Sequence, residues 1–194
     1  YCSGNTTSTG TNNVAIGCNA LISNTTGSGN TAIGYQALCK NTTGNNTAIG
    51  YNALSSNTTG QDNTAIGYRA LQSNTDGNNN TAIGLLALAF NTIGVNNTAI
   101  GYGTLVTNTT GYGNTAIGHS ALGNYPYGNN NTAIGVGALT GPGGSTGTDN
   151  VAIGVFALST NYGGINNTAI GTSALFGNTD GSNNVAIGVS ALYN

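Results

Sequence analysis

Residues 30–38 read NTAIGYQAL, residues 46–54 read NTAIGYNAL, and residues 63–71 read NTAIGYRAL. The shorter motif inside these stretches, Asn followed by Thr or Val and then Ala-Ile-Gly, occurs eleven times in the 194 residues. Successive motif isoleucines are separated by 17, 16, five times 17, then 19, 17 and 17 residues. A leucine follows each of these isoleucines by five positions. A period near 17 with fixed apolar anchors is typical of a solenoid.

Each period is interpreted as one coil of a parallel β-solenoid. Thr or Val and Ile alternate with Ala in the motif, so they fall on opposite faces of a short strand. The following Ala-Leu is expected in a second short strand, and the Asn-Thr-Thr-Gly that comes next is typical of a turn. The sequence therefore predicts an all-β, parallel β-solenoid (β-roll) of eleven coils. We expect one domain over 1–194, with a leading loop at 1–12 and the coils at 13–194.

When the coils stack, the side chains at each repeated position form a column along the rod. Parallel coils about 4.8 Å apart would make a rod roughly 50 Å long. We expect the Ile and Leu columns to form the apolar core, and the motif asparagines to hydrogen-bond amide to amide along the stack. The Ile column is Ile16, Ile33, Ile49, Ile66, Ile83, Ile100, Ile117, Ile134, Ile153, Ile170 and Ile187. The Leu column is Leu21, Leu38, Leu54, Leu71, Leu88, Leu105, Leu122, Leu139, Leu158, Leu175 and Leu192.

The position two residues after each Ile, named here the +2 column, is mostly apolar. Eleven Ile and eleven Leu make a thin core for 194 residues, so this column favours burial against another subunit. An exposed aromatic ladder that binds a ligand, or uneven packing inside the coil, are the alternatives. The candidate interface residues are Tyr35, Tyr51, Tyr68, Leu85, Tyr102, Val136, Val155 and Val189.

The low charge of the chain argues against nucleic acid and anionic membranes as binding partners. Charged residues make up 3% of the chain and the formal net charge is -2. The sequence therefore has no basic patch of the kind that binds nucleic acid or an anionic membrane surface. The longest apolar run, at 85–90, is too short to cross a bilayer. The chain begins with Tyr1 and shows no signal-peptide pattern, which suggests a processed product or an excerpt of a longer fibre.

No arrangement of residues predicts catalysis. His119 stands in the +2 column, where Tyr and Val also occur, and no nucleophile pattern accompanies it. Asp76 and Asp180 share a turn position six coils apart, which is too far for a carboxylate pair. Four Asp in eleven coils do not supply the one ligand per coil that calcium-binding repeats need. We therefore predict no catalytic residues, no metal site and no cofactor.

Three copies of the motif carry Val: NVAIGCNAL at 13–21, NVAIGVFAL at 150–158 and NVAIGVSAL at 184–192. With the Thr copies between them, they resemble the head-domain repeats of trimeric autotransporter adhesins, and they are also similar to repeats of phage and large-virus fibres. The resemblance covers essentially the whole chain, although the coils of that family are shorter. It implies a homotrimer of parallel β-rolls that is displayed outside a cell or virion and used for attachment.

The predicted function is a structural extracellular fibre or adhesin segment for attachment or scaffolding, without catalysis. Its partners would be further copies of itself, with a host surface receptor or glycan as a further candidate. The alternative is a self-polymerising filament subunit whose terminal coils stack end to end. The expected location is extracellular: a cell surface, a secreted filament or a virion fibre.

The cysteines and the exposed aromatic residues supply weaker signals. Cys2, Cys18 and Cys39 are candidates for an intersubunit disulfide, with a local bridge or simple buried thiols as alternatives. The stretch YPYG at 125–128 and Tyr112 are the best candidates for ligand contact, against ordinary turn residues.

The turn Asn-Thr-Thr also matches the glycosylation sequon. It does so wherever the turn occurs, so it is weak evidence for a glycan. These sequons begin at Asn5, Asn24, Asn41, Asn57 and Asn108.

Overall fold

A computed structural model describes residues 8–194 as a parallel β-solenoid, which confirms the predicted all-β fold. Its eleven strands lie in one parallel sheet, and each pairs with its neighbour in sequence. Each coil is numbered by its strand. The strands are β1 (Val14–Ile16), β2 (Thr31–Ile33), β3 (Thr47–Ile49), β4 (Thr64–Ile66), β5 (Thr81–Ile83), β6 (Thr98–Ile100), β7 (Thr115–Ile117), β8 (Thr132–Ile134), β9 (Val151–Ile153), β10 (Thr168–Ile170) and β11 (Val185–Ile187).

The strands pair in strict register. Thr31 lies opposite Thr47, although the period between these coils is 16 residues. Thr132 lies opposite Val151, although the period there is 19. Because the sheet keeps its register at both places, the deletion and the insertion are absorbed in the turns.

The strand buries the face that was expected to be exposed. We expected isoleucine in the core, but the alanine of each strand points inward. The central alanine is the buried residue, as Ala32 and Ala65 show with no exposed surface, whereas Thr or Val and Ile face outward. The strand alanines join one cluster with the Ala and Leu of the second segment. Leucine already fills that narrow interior, and close packing leaves room for only a methyl group from the strand.

The predicted Ile column of the core is therefore wrong for the single chain. Exposure reaches 36% at Ile83 and 68% at Ile187, and every member is at least partly exposed. The isoleucines outside the core are Ile16, Ile33, Ile49, Ile66, Ile83, Ile100, Ile117, Ile134, Ile153, Ile170 and Ile187. In the Leu column, the ten leucines from Leu21 to Leu175 are buried, whereas Leu192 in coil 11 is 56% exposed.

The Ala-Leu segment forms tight turns, not the expected second strand. The Ala37 amide donates to the Gly34 carbonyl at 3.4 Å, and the Cys39 amide donates to the Gln36 carbonyl at 3.3 Å. Gln36 and Leu38 have φ values of 54° and 52°, in the left-handed region that interrupts a strand. The same pattern recurs along the rod. Leucine rarely adopts this conformation, so its burial must outweigh the local strain.

Buried asparagines connect the coils. The Asn80 amide nitrogen donates to Asn63 Oδ1 at 2.9 Å, and Asn80 Oδ1 accepts the Asn97 amide at 3.0 Å. Asn80 Nδ2 also donates to the Gly94 carbonyl at 2.8 Å. The motif asparagine thus satisfies the backbone of two neighbouring coils, as expected for an amide ladder.

A second asparagine ladder closes the Asn-Thr-Thr-Gly turns. Asn74 Nδ2 donates to Asn57 Oδ1 at 2.8 Å in the previous coil and to the Gly77 carbonyl at 2.9 Å in its own turn. Asn57 and Asn74 are fully buried. Buried polar groups of this kind stabilise a fold only when they are hydrogen-bonded, so the turn sequence repeats for the same reason as the strand motif.

The glycine after each strand is required by both conformation and space. Gly84 has a φ of 134°, and a β-carbon there would lie 2.3 Å from the Gly101 carbonyl oxygen of the next coil. Each equivalent glycine from Gly17 to Gly171 likewise faces the glycine at the same position in the next coil. The coils can approach this closely only because the position has no side chain.

Substitution of Asn80 by Ala should lower the free energy of unfolding by about 1–3 kcal/mol, because it leaves the buried Asn97 amide without an acceptor. Chemical denaturation followed by circular dichroism measures the change. The control is Asn79→Gly, at an exposed neighbour with a φ of 58° that glycine adopts easily. Equal stability of the two variants would contradict the structural role of the ladder.

Substitution of Gly84 by Ala should destabilise the chain by more than about 1 kcal/mol, since the new methyl would meet the backbone of coil 6. Gly143→Ala is the matched control, because a β-carbon at Gly143 would have no atom within 4 Å. Thermal melting of both variants checks this. A Gly84 variant as stable as the Gly143 variant would mean that the coils can separate without cost.

Candidate interaction surfaces

The outer face of the sheet is the most regular surface of the molecule. It consists of the Thr or Val column and the Ile column of the eleven strands, all in register. Neither column contains a charged residue. The face is thus a long uncharged strip of methyl groups and threonine hydroxyls, which we name the sheet face.

The +2 column lies exposed as stacked rings and aliphatic side chains. Tyr35 and Tyr51 stack with ring centroids 5.1 Å apart, and Tyr51 and Tyr68 with centroids 5.4 Å apart. The Arg69 guanidinium carbon lies 5.1 Å from the Tyr68 centroid. Because the rings cover one another's faces, the ladder offers mainly ring edges to a ligand. This geometry does not favour its use as a stacking platform.

The other members of this column are also exposed. Leu85 and Val136 are 42% and 44% exposed, and Val155 and Val189 are 40% and 77% exposed. Tyr102 is 51% exposed. The column is therefore accessible on the single chain, and its use as a subunit interface stays a prediction.

His119 belongs to this surface ladder. Its ring stacks on Tyr102 with centroids 5.0 Å apart. Within residues 8–194, no three His, Cys, Asp or Glu side chains lie close enough together to hold a metal ion. The same residues contain no helix long and apolar enough to span a membrane.

Asp76 is part of a threonine network on the turn surface. Its carboxylate accepts hydrogen bonds from the hydroxyls of Thr59 and Thr58 in the neighbouring coil. The hydrogen bond from Thr59, followed by one from Thr75, lowers the pKa of Asp76. The carboxylate therefore substitutes for a neutral turn residue by binding local hydroxyls, and not by pairing with a second acid.

The described cysteines are both free. Cys18 is exposed, and Cys39 is half-buried with its thiol donating to the Ser55 carbonyl at 3.2 Å. Burial raises the pKa of the Cys39 thiol, partly opposed by Lys40. Cys2 lies outside the described residues, so the intersubunit disulfide remains a prediction.

The Asn-Thr-Thr sequons lie in the buried turn ladder. Asn57 Nδ2, the nitrogen that a glycan would occupy, donates to Asn41 Oδ1 at 2.7 Å and to the Gly60 carbonyl at 2.8 Å. Asn24, Asn41, Asn57 and Asn108 are at most 2% exposed. A glycan on any of them cannot coexist with the folded stack. Asn5 lies outside the described residues.

Tyr125 is a buried structural residue, so the expectation of an exposed YPYG cluster is wrong at this position. Coils 7 and 8 have no asparagine in the turn ladder: Tyr125 stands at that position in coil 7, and its side chain extends past coil 8 to coil 9. Its hydroxyl donates to the Asn161 carbonyl at 2.7 Å and accepts from Asn161 Nδ2 at 2.9 Å. Burial raises the pKa of Tyr125 well above its usual range, so the hydroxyl stays protonated and able to donate.

The presence of Tyr125 in place of a ladder asparagine also leaves a buried oxygen in coil 6 without a hydrogen bond among the described residues. Asn91 Oδ1 accepts a hydrogen bond from Asn108 Nδ2 at 2.8 Å, as the ladder requires. Asn108 Oδ1 is buried without a partner in the described chain, because Tyr125 stands where the next asparagine would be. Tyr127 and Tyr112 are 55% and 48% exposed, so the remaining aromatic side chains of this region are on the surface.

A groove not predicted from the sequence runs between the positions three and six residues after each Ile, named the +3 and +6 columns. It consists of two open depressions: the larger part has a volume of about 530 Å³ across coils 8–11, and a second part has a volume of about 280 Å³ across coils 5–8. Thr140 borders both parts. The larger part is lined by Thr140, Gly141, Phe156, Ser159, Ser173, Phe176 and Tyr193.

Comparison of the chain with protein-family models, with curated proteins and with solved structures finds no match in any of the three.

Substitution of Tyr125 by Phe should lower the free energy of unfolding by about 1–3 kcal/mol, because the buried Asn161 carbonyl loses its donor. Tyr127→Phe, at an exposed ring in the same turn, is the control and should be neutral. Urea denaturation of both proteins provides the comparison. Equal stability would show that the Tyr125 hydroxyl does not hold coils 7 and 9 together.

Proposed function

We propose that this chain is a structural segment of an extracellular attachment fibre, in which three copies of the solenoid pack side by side through their sheet faces. The single observation that carries the proposal is the outward Ile column. These isoleucines are half-buried in the middle coils and exposed towards both ends, and their register along the rod forms an apolar strip, a kind of surface that monomeric soluble proteins rarely leave uncovered.

The sheet face suits association between copies of one chain. It carries no charge that would have to be desolvated without a partner, and its repeat is the same on every copy. In a closed ring of three, each contact joins two different patches of the subunit, and the parallel Thr or Val column and Ile column supply two such patches over the full length of the rod. The +2 column lies two residues beyond the Ile column and would extend the contact.

The interior supports a mechanical role for the rod. Each coil is joined to the next by sheet pairing, by two asparagine ladders and by turn hydrogen bonds such as that from the Leu38 amide to the Ala53 carbonyl, 3.1 Å long. Because every coil is bonded to the next, the rod is stiff, and each surface group keeps a fixed position along its length. That property suits a spacer or attachment fibre, and the resemblance to adhesin-head and viral-fibre repeats points the same way. No catalytic step is part of the proposal.

Light scattering of the purified chain should give three times the chain mass of 19.1 kDa. Ile100→Asp, which places a charge in the middle of the sheet face, should shift the protein to single chains. Thr110→Asp is the control, because Asp76 already occupies the equivalent turn position in coil 4. Circular dichroism must show that each variant keeps the β structure.

Three results would overturn this assembly. A wild-type chain that remains at 19.1 kDa would exclude the trimer. A very large species that shrinks with reductant would favour the end-to-end filament. Dissociation by Val136→Asp but not by Ile100→Asp would place the interface on the +2 column and not on the sheet face.

A further inference from the structure

We propose that the groove across coils 8–11 binds a neutral saccharide unit and is the attachment surface of the fibre. This inference rests on the proposed attachment function, since it names the class of molecule to which the rod would attach. The groove lies along the +3 and +6 columns, and none of the residues that line its larger part belongs to the sheet face or to the +2 column. Contact between copies through those two surfaces therefore uses other residues.

The size of the groove suits one or two sugar rings. Its volume of about 530 Å³ lies within the roughly 300–1,000 Å³ of ordinary small-molecule sites. Those sites combine mostly apolar and aromatic walls with a few polar groups that fix orientation. Phe156, Phe176 and Tyr193 supply the aromatic surface here, and Ser159 and Ser173 supply hydroxyls.

The aromatic walls are held in place by the fold. A β-carbon at Gly137 would lie 2.5 Å from Phe156 Cε1, so the Phe156 ring packs directly over the backbone of coil 8. Phe176 and Tyr193 stack with their centroids 5.1 Å apart and their planes 5° from parallel. The walls are therefore arranged before a ligand arrives, which reduces the entropy lost on binding.

The lining chemistry favours a sugar over other small ligands. The C–H faces of a pyranose pack on aromatic rings, while its hydroxyls both donate and accept hydrogen bonds, as serine hydroxyls do. The hydroxyl of Thr140 already donates to the Gly137 carbonyl at 2.7 Å, so Ser159 and Ser173 are the better candidates to contact a ligand.

The absence of charge in the groove selects a neutral sugar. None of its seven lining residues is Lys, Arg, His, Asp or Glu, so no cation is in place to pair with a carboxylate or sulfate. An acidic saccharide would lose hydration on entering without gaining an ion pair. The Tyr35–Tyr51–Tyr68 ladder is the less suitable surface, because each of its rings stacks on another. In the groove Phe176 and Tyr193 also stack, but Phe156 is 46% exposed and belongs to no ring stack among the described residues, so it offers the open ring face.

The test uses cellotriose and maltotriose as neutral probes and a sulfated heparin tetrasaccharide as the charged comparison. Saturation-transfer NMR and calorimetry on the assembled wild-type chain should detect binding of at least one neutral trisaccharide and none of the sulfated probe. Phe156→Ala should weaken the neutral interaction at least tenfold. Phe90→Ala, at a 56% exposed ring outside the groove, should leave it unchanged.

Ser173→Ala keeps the proposal testable if the Phe156 variant does not fold, since it removes one hydroxyl without changing the aromatic packing. It should weaken binding several-fold. Lack of binding by both neutral probes, preference for the sulfated probe, or unchanged binding in both groove variants would overturn the proposal. A trimer that binds no sugar would defeat this inference alone, whereas a monomer that binds sugar would defeat the fibre proposal alone.

Discussion

The asparagine amide ladder is the interaction on which the rest of the structure depends. A solenoid with one short strand per coil leaves most of its backbone in turns, and the polar groups of those turns must be paired internally. The side chain of Asn80 accepts from the backbone amide of Asn97 in the next coil, and the backbone amide of Asn80 donates to the side chain of Asn63 in the coil before. The arrangement works only if every coil places an amide at the same height, so the motif repeats while surface positions vary.

The ladders in turn determine what the interior can hold. Two buried asparagines and one leucine occupy the cross-section of coils 2–6 and 9, and the strand contributes only the methyl group of alanine. The isoleucines are thereby directed outward, and the leucines adopt a left-handed backbone that they would otherwise avoid. The apolar strip on the outside is thus a consequence of a narrow interior, and it links the internal packing to the proposed association between chains.

The sequence was sufficient for the coil count, the parallel stacking and the amide ladder, because these depend on periodicity alone. It did not reveal which strand face is buried, since alternation is symmetric until the width of the interior is known. The turns at the Ala-Leu segment were also missed, because a leucine at positive φ contradicts the usual preference of that residue. The groove depends on glycines and rings that lie in different coils, such as Gly137 and Phe156, so no single repeat reveals it.

Coil 8 shows how the stack accommodates irregularity. Its longer loop supplies no asparagine to the turn ladder, and Tyr125 of coil 7 extends past it to Asn161 in coil 9 while the sheet keeps its register. Axial distance is consequently measured in whole coils and not in residues. The axial position of a surface group is therefore set by the number of its coil, and it does not change when a loop elsewhere in the chain is longer or shorter.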